Sequence, residues 1–214
     1  MTTPASSYLT IARSAEAEIE VKRSRFRCTL ERVEDETAAR AVVDRLRREH
    51  WDARHHCSAF RIGQVERSSD DGEPAGTAGA PMLEVLRGHA GAGVSDVVAV
   101  VTRWFGGTLL GAGGLVRAYG DAVRAGLDEA GTLRRTLVRE HLLELGHADA
   151  GRIESELRAR GVAVLDTAYA AQVTLRLGVP PDEEARLVAL LAELTAGMGE
   201  TRVAGERWVD SLPL

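Results

Sequence analysis

The chain has 214 residues, 44% hydrophobic and 28% charged, with a formal net charge of -5 and an isoelectric point of about 5.7. That length holds one large domain or two small ones with a real core, and the acidic balance excludes binding of nucleic acid over the whole surface, so any anion site must be local. Two cysteines make no disulfide framework, the first nine residues carry no apolar signal segment, and no run of about 18 apolar residues reads as a membrane span, so a cytoplasmic protein is expected.

In chain order, residues 1–14 read as a flexible leader. Residues 22–31 alternate Phe26, Cys28 and Leu30 against Arg25, Arg27 and Thr29, the period of a half-buried strand, which would set Arg23, Arg25 and Arg27 on one face. Residues 35–49 are helical. Ala38, Ala39, Val42, Val43 and Leu46 recur at helical spacing, with acids in the first turn and Arg45, Arg47 and Arg48 in the last, as the helix dipole favours. Residues 55–62 read as a strand, 63–79 as a polar loop, and 80–87 as a short helix with Pro81 in its first turn. Val97, Val98, Val100 and Val101 mark a buried strand running into Arg103. Beyond a glycine-rich loop, a helix extends to about Ala130, with Leu115, Tyr119, Val123 and Leu127 on one stripe. Arg117 with Asp121 and Arg124 with Asp128 form outward pairs, and Gly131 is its stop.

The remainder has another rhythm: a strand at 135–145, a helix at 149–160 stopped by Gly161, strands at 162–165 and 169–177, a helix at 181–196 and a strand at 202–209. The order βαββαβ is ferredoxin-like. The class is therefore α+β, with two domains, 15–131 and 132–214.

Charge, aromatic rings and exposed backbone amides meet in Arg103-Trp104-Phe105-Gly106-Gly107, where a strand ends. Arg103 could bind a phosphate or carboxylate, Trp104 could stack on a base or a partner side chain, and Gly106 and Gly107 could let a backbone approach. Equally, the rings could cap the core while the glycines turn the chain. Neither standard nucleotide loop fits: Gly106 to Gly111 has the Walker spacing but is followed by Ala112 and Gly113 instead of Lys and Ser or Thr, and Val116 stands where a dinucleotide loop needs its third glycine. Amides at the helix start near Gly111 could still hold an anion.

Asp70, Asp71, Gly72 and Glu73 put three carboxylates in one loop, able to pair with arginines or to be a solvated turn; the EF-hand spacing is absent, and no metal is expected. In His55-His56-Cys57, His55 and Cys57 share one strand face; no second ligand pair completes a zinc set, and a buried thiol beside surface histidines is the expected arrangement. Lys22, Arg23 and Arg25 belong to the densest basic run, which could lie along an RNA backbone or an acidic protein, or be a sheet face paired with acids on the next strand.

The segments KRSRF (22–26), HHCSAFRIG (55–63), DDGEPAGTAGAP (70–81) and VVTRWFGGTLLGAGGLVRAY (100–119) occur in that order, and together they resemble the YigZ/Impact family. The resemblance covers residues 15–130; residues 131–214 resemble the small C-terminal domain of the two-domain members. It implies an N-terminal fold like the second domain of ribosomal protein S5 and a ferredoxin-like C-terminal fold, two folds that also lie side by side in the translocating elongation factor G. Eukaryotic members act in translational control by competing for the activator of a kinase that phosphorylates initiation factor 2, a role that does not carry over intact to a bacterial two-domain chain. The resemblance brings no catalytic residues and no cofactor. It marks Arg103, Trp104, Gly106, Gly107, Asp70, Asp71, Gly72 and Glu73 as a shared surface.

The reading that follows is a non-enzymatic regulator of translation or stress response that binds RNA, the ribosome or a translation-associated protein. In it, Arg103, Trp104 and the basic strand contact the partner, while the acidic loop positions the arginines or meets a basic surface. Two alternatives stand beside it: an enzyme acting on a phosphorylated small molecule or nucleotide, since S5-like folds also occur in small-molecule kinases, and a protein-interaction module that touches no nucleic acid.

Overall fold

A computed structural model describes residues 7–211. They divide into two compact units, Tyr8–Arg134 and, with Ser7, Arg135–Ser211. The boundary falls three residues beyond the expected one, and the helix before it ends at Ala130 as foreseen.

The first unit is built on one antiparallel sheet. Its strands β2 (Ala15–Val21), β3 (Ser24–Arg32), β4 (His55–Ile62), β5 (Val65–Ser69) and β6 (Val97–Trp104) lie in the order β2-β3-β6-β4-β5. β6 is central and covered on both faces, which is why its sequence is a continuous apolar run instead of an alternation. Ala99 and Val101 pack in the cluster with Met82, Leu86, Leu115, Val123 and Leu127. Those residues belong to helices α2 (Gly79–Gly88) and α3 (Ala112–Ala130). Val98 and Val100 point the other way, against Ala39, Val42 and Leu46 of α1 (Glu36–Glu49). Asp35 caps α1, its side chain accepting from the Ala38 amide, as short polar residues do at helix starts. The stripe read from sequence on α3 is buried throughout, but Arg124 reaches back to Asp121 at 2.6 Å instead of on to Asp128.

Three expectations are corrected here. The leader is not structureless over its described part. Ser7–Ile11 forms β1, Leu9 bridges Val94, and Ile11 is buried in the main core; an apolar side chain with a core to enter anchors the terminus. Residues 1–6 of that expectation lie outside the described residues. The polar loop at 63–79 contains β5, an edge strand whose mostly exposed residues give no apolar alternation. Lys22 and Arg23 are not on the β3 face: with φ of 48° and 66° they form the two-residue turn that joins β2 to β3, closing on the Val21–Ser24 pair. Consecutive left-handed residues match the twist of a hairpin, so the strand begins at Ser24.

In the second unit β7 (Thr132–Leu145), α4 (His147–Ala159), β8 (Ala163–Tyr169), β9 (Val173–Val179), α5 (Glu184–Leu194) and β10 (Thr201–Ser211) follow in chain order. β10 pairs β7, β7 pairs β9 and β9 pairs β8, the ferredoxin-like arrangement expected. Its core brings Leu143, Val173, Leu175 and Leu177 against Ile153, Leu157, Leu187 and Leu191. The β8–β9 connection lies later than read: Tyr169 ends β8 and is exposed, and the buried alternation starts at Val173. The last helix is preceded by a short 3-10 turn, Pro181–Glu183, with proline at its start, where the missing amide costs nothing.

The hairpin tip is pinned to the loop after β6. Gly106 donates its amide to Ser24 Oγ at 3.1 Å, and a Cβ on Gly106 would lie 2.0 Å from the Arg23 carbonyl carbon and oxygen. Only a residue without a side chain permits that approach. Gly106→Ala should therefore destabilise the protein by about 1–3 kcal/mol through overpacking. Gly107→Ala, which meets open space but has φ of 85°, should cost about 1–2 kcal/mol from backbone strain alone and leave the hairpin amides protected. Urea unfolding with hydrogen exchange at residues 22–24 checks this, and unchanged exchange there in Gly106→Ala would contradict the pinning.

Candidate functional site

Four segments distant in sequence meet at one end of the first unit: the end of β6, the start of β4, residues 70–79, and the loop leading into α3. Their centre is Glu73. Its Oε1 accepts from Arg103 Nη1 at 2.5 Å and from the Tyr119 hydroxyl at 2.8 Å, and the Arg103 and Glu73 side chains are only 7% and 4% exposed. The Arg103 guanidinium also lies over Phe26 and Phe105, 5.3 and 5.6 Å from their ring centres. Two charges so far from water survive only when paired and hydrogen-bonded. Arg103 therefore stands behind the surface instead of on it.

The rest of the acidic loop is equally engaged. Asp70 accepts from the amides of Gly76, Ala78 and Gly79 at 2.8, 3.0 and 2.8 Å, which caps the start of α2 from outside the helix. Burial raises the Asp70 carboxyl, but these three donors outweigh it and hold the group below its ordinary value of 3.8. Asp71, with φ of 43°, pairs with Arg47 of α1 at 2.5 Å and accepts from the His56 amide at 2.6 Å. The loop thus ties both helical layers to the sheet; among the described residues no cluster able to hold a metal ion is found.

His55 Nδ1 lies 2.8 Å from the Asp71 carbonyl. Since a carbonyl can only accept, Nδ1 carries the proton, and Nε2 faces Glu73 Oε1 at 3.9 Å. The histidines are less exposed than expected: His56 is buried, and that burial lowers its pKa. Cys57 is buried as expected, with Sγ 3.0 Å from the Asp70 carbonyl and 3.3 Å from the Tyr119 hydroxyl. Burial, only partly opposed by the Tyr119 hydrogen bond, pushes its thiol up to about 12. A thiol protonated at neutral pH is no nucleophile. Tyr119, read from sequence as one member of an apolar stripe, is part of this network; the signal was its hydroxyl, which a buried tyrosine must satisfy.

Beside the network opens a cleft of about 390 Å3, lined at one end by Arg54, His55, Glu73 and Arg103 and at the other by Phe105, Leu109, Leu110 and the start of α3. Sequence reasoning did not single out Arg54 or Leu109 because neither sits in an apolar pattern. On the sheet face around Trp104, the Arg25 guanidinium lies 4.6 Å and that of Arg27 5.5 Å from the indole centre. The indole nitrogen donates to Asp52 at 2.9 Å. The indole is thus flanked by two cations. Arg27 pairs with Glu18 at 3.0 Å and Arg25 approaches the same carboxylate at 3.8 Å. Arg23 reaches Thr108 at 3.4 Å. Of the residues expected to act together, Lys22, Arg23, Arg25, Trp104, Gly106 and Gly107 form this outer basic edge, whereas Arg103, Asp70, Asp71, Gly72 and Glu73 form the inner network.

Residues 22–127 match the Impact N-terminal domain, and residues 143–198 match a domain of unknown function (DUF1949). The chain is 40% identical to the IMPACT family member YvyE of Bacillus subtilis (strain 168), over 92% of this chain and 90% of that one. It is 42% identical to the IMPACT family member YigZ of Escherichia coli (strain K12), over 83% and 88% respectively. A solved structure, described only as that of a hypothetical protein, is 39% identical with a TM-score of 0.60, covering 93% of this chain and 98% of its own.

Because the folded-state pKa of Asp70 is depressed, the stability it contributes is fully present above its ordinary 3.8 and is lost as pH falls through the folded value. Asp70→Asn, which keeps one acceptor and no titrating group, should flatten the loss of stability below that pH. Unfolding free energies along an acid series check this, and parallel profiles for the two proteins would contradict it.

Proposed function

Since the chain belongs to the IMPACT family, a translation-related regulatory role follows at family level, and we propose that it acts as a binding protein on the ribosome, meeting RNA backbone with the basic edge of its first unit. The observation that carries the reading is the hairpin tip. The Gly106 contact fixes the backbone of the tip at Arg23, whose side chain reaches Thr108, and Arg25 beside it stacks on Trp104. A fixed turn that presents Lys22 and Arg23 together meets phosphate at a lower ordering cost than a mobile loop. The chain as a whole is acidic, so affinity must come from this edge and its reach is short.

What supports binding over catalysis is that the inner carboxylate and thiol are engaged within the network. Glu73 is bonded to Arg103 and Tyr119, and the Cys57 thiol is held protonated. Arg103 then acts as support: it fixes the strand end from which Trp104 and Phe105 project.

The test is co-sedimentation with ribosomes over a salt series. With three cations engaged, log affinity should fall against log salt with a slope of about -2. Replacing Lys22 and Arg23 by Glu should abolish retention at physiological salt while leaving the melting temperature near that of the parent. Absence of pelleting at every salt would remove the ribosome as partner.

A further inference from the structure

We propose that the cleft between Arg103 and the start of α3 is a binding site for a small organic oxyanion, a phosphate or carboxylate carried on an apolar body. It goes beyond ribosome binding and does not depend on it. The site is built at both ends. At the polar end Arg103 lines the cleft, is 6% exposed and gives Nη1 to Glu73. Its Nε has no hydrogen-bond partner but is closed to solvent, so a ligand in the cleft meets the rest of the guanidinium. The opposite wall is the N-terminus of a 19-residue helix whose cap, Gly111, has no side chain to accept from the first-turn amides. Gly111 and Ala112 line the same cleft as Arg103. Unbonded amides and the positive end of a long helix favour an anion.

The charge balance agrees. Glu73 is cancelled by Arg103, to which it is bonded. That leaves Arg54, exposed at the mouth, and the helix end as uncompensated positive charge. A cation is disfavoured, because the one carboxylate in the cleft already accepts from Arg103 and Tyr119. His55 lines the same cleft with its Nδ1 committed to the Asp71 carbonyl, which leaves Nε2 as a further polar contact for the head group. At the other end Phe105 is 44% and Leu109 82% exposed, with Leu110 and Leu115 behind them. Apolar groups gathered at the mouth of a cleft with a few convergent polar groups make the profile of a small-molecule site, and 390 Å3 lies within the usual range.

The experiment is a thermal-shift and calorimetric titration of the full chain with phenyl phosphate, phenylacetate, inorganic phosphate and phenol. Phenyl phosphate or phenylacetate should raise the melting temperature saturably, the tighter of the two identifying the head group. Inorganic phosphate should act more weakly and phenol not at all. Arg54→Ala and Leu109→Asp, both at exposed positions, should leave the unliganded melting temperature unchanged and raise the half-saturating concentration at least about tenfold. The variant with Glu at positions 22 and 23 should bind like the parent, which separates this site from the ribosome-binding edge. No saturable shift with either aromatic anion, or a shift that both cleft variants preserve, overturns the proposal; equal responses to inorganic and phenyl phosphate overturn the apolar half of the site.

Discussion

Arg103 leaves the centre of the sheet at the end of β6 and meets Glu73 at 2.5 Å, with both side chains almost wholly removed from water. An isolated buried charge would cost several kcal/mol, so each of the two holds the other in place. Glu73 brings with it the turn whose Asp70 caps α2 and whose Asp71 ties α1. Arg103 fixes the strand end from which Trp104, Phe105 and the glycines continue. Tyr119 extends the network into α3 and Cys57 into β4. One pair thereby sets the mutual position of three helices and the central strand at the end of the unit where the candidate surfaces lie.

This arrangement divides the residues of the four motifs into two groups with different work. The inner group is buried and bonded chiefly within itself. The outer group is cationic and held by packing: the tip at Lys22 and Arg23 rests on Gly106, and Arg25 lies on the Trp104 ring. The ion pairs of Arg25 and Arg27 with Glu18 are partly exposed, and such pairs exchange readily for a phosphate partner because they are worth little in water. The cleft lies between the groups, with its polar wall drawn from the inner network and its apolar rim from Phe105 and Leu109.

Much of the fold was legible in the sequence. The β-branched run from Val97 to Val101 marks a strand covered on both faces, the stripe through Tyr119 marks α3, and the βαββαβ rhythm marks the second unit. Elements without apolar periodicity were not legible. β5 is a polar edge strand, and the Lys22–Arg23 turn lacks the Asn or Gly that usually announces two left-handed residues. The site was legible as a set of residues but not as partners. Glu73 and Arg103 lie 30 positions apart, and nothing local tells a carboxylate in a loop which of many arginines it will meet. Arg103 accordingly reads from sequence as a surface contact, whereas β6 delivers it to the interior.

The most direct test of the central pair is a double-mutant cycle in unfolding free energy with Glu73→Gln and Arg103→Met. We expect each single change to cost about 3–5 kcal/mol, because it strands the other charge. The double variant should cost less than their sum by more than about 1 kcal/mol. Additive costs, or single variants within about 0.5 kcal/mol of the parent, would mean that the pair is an incidental contact and that something else holds this end of the unit together.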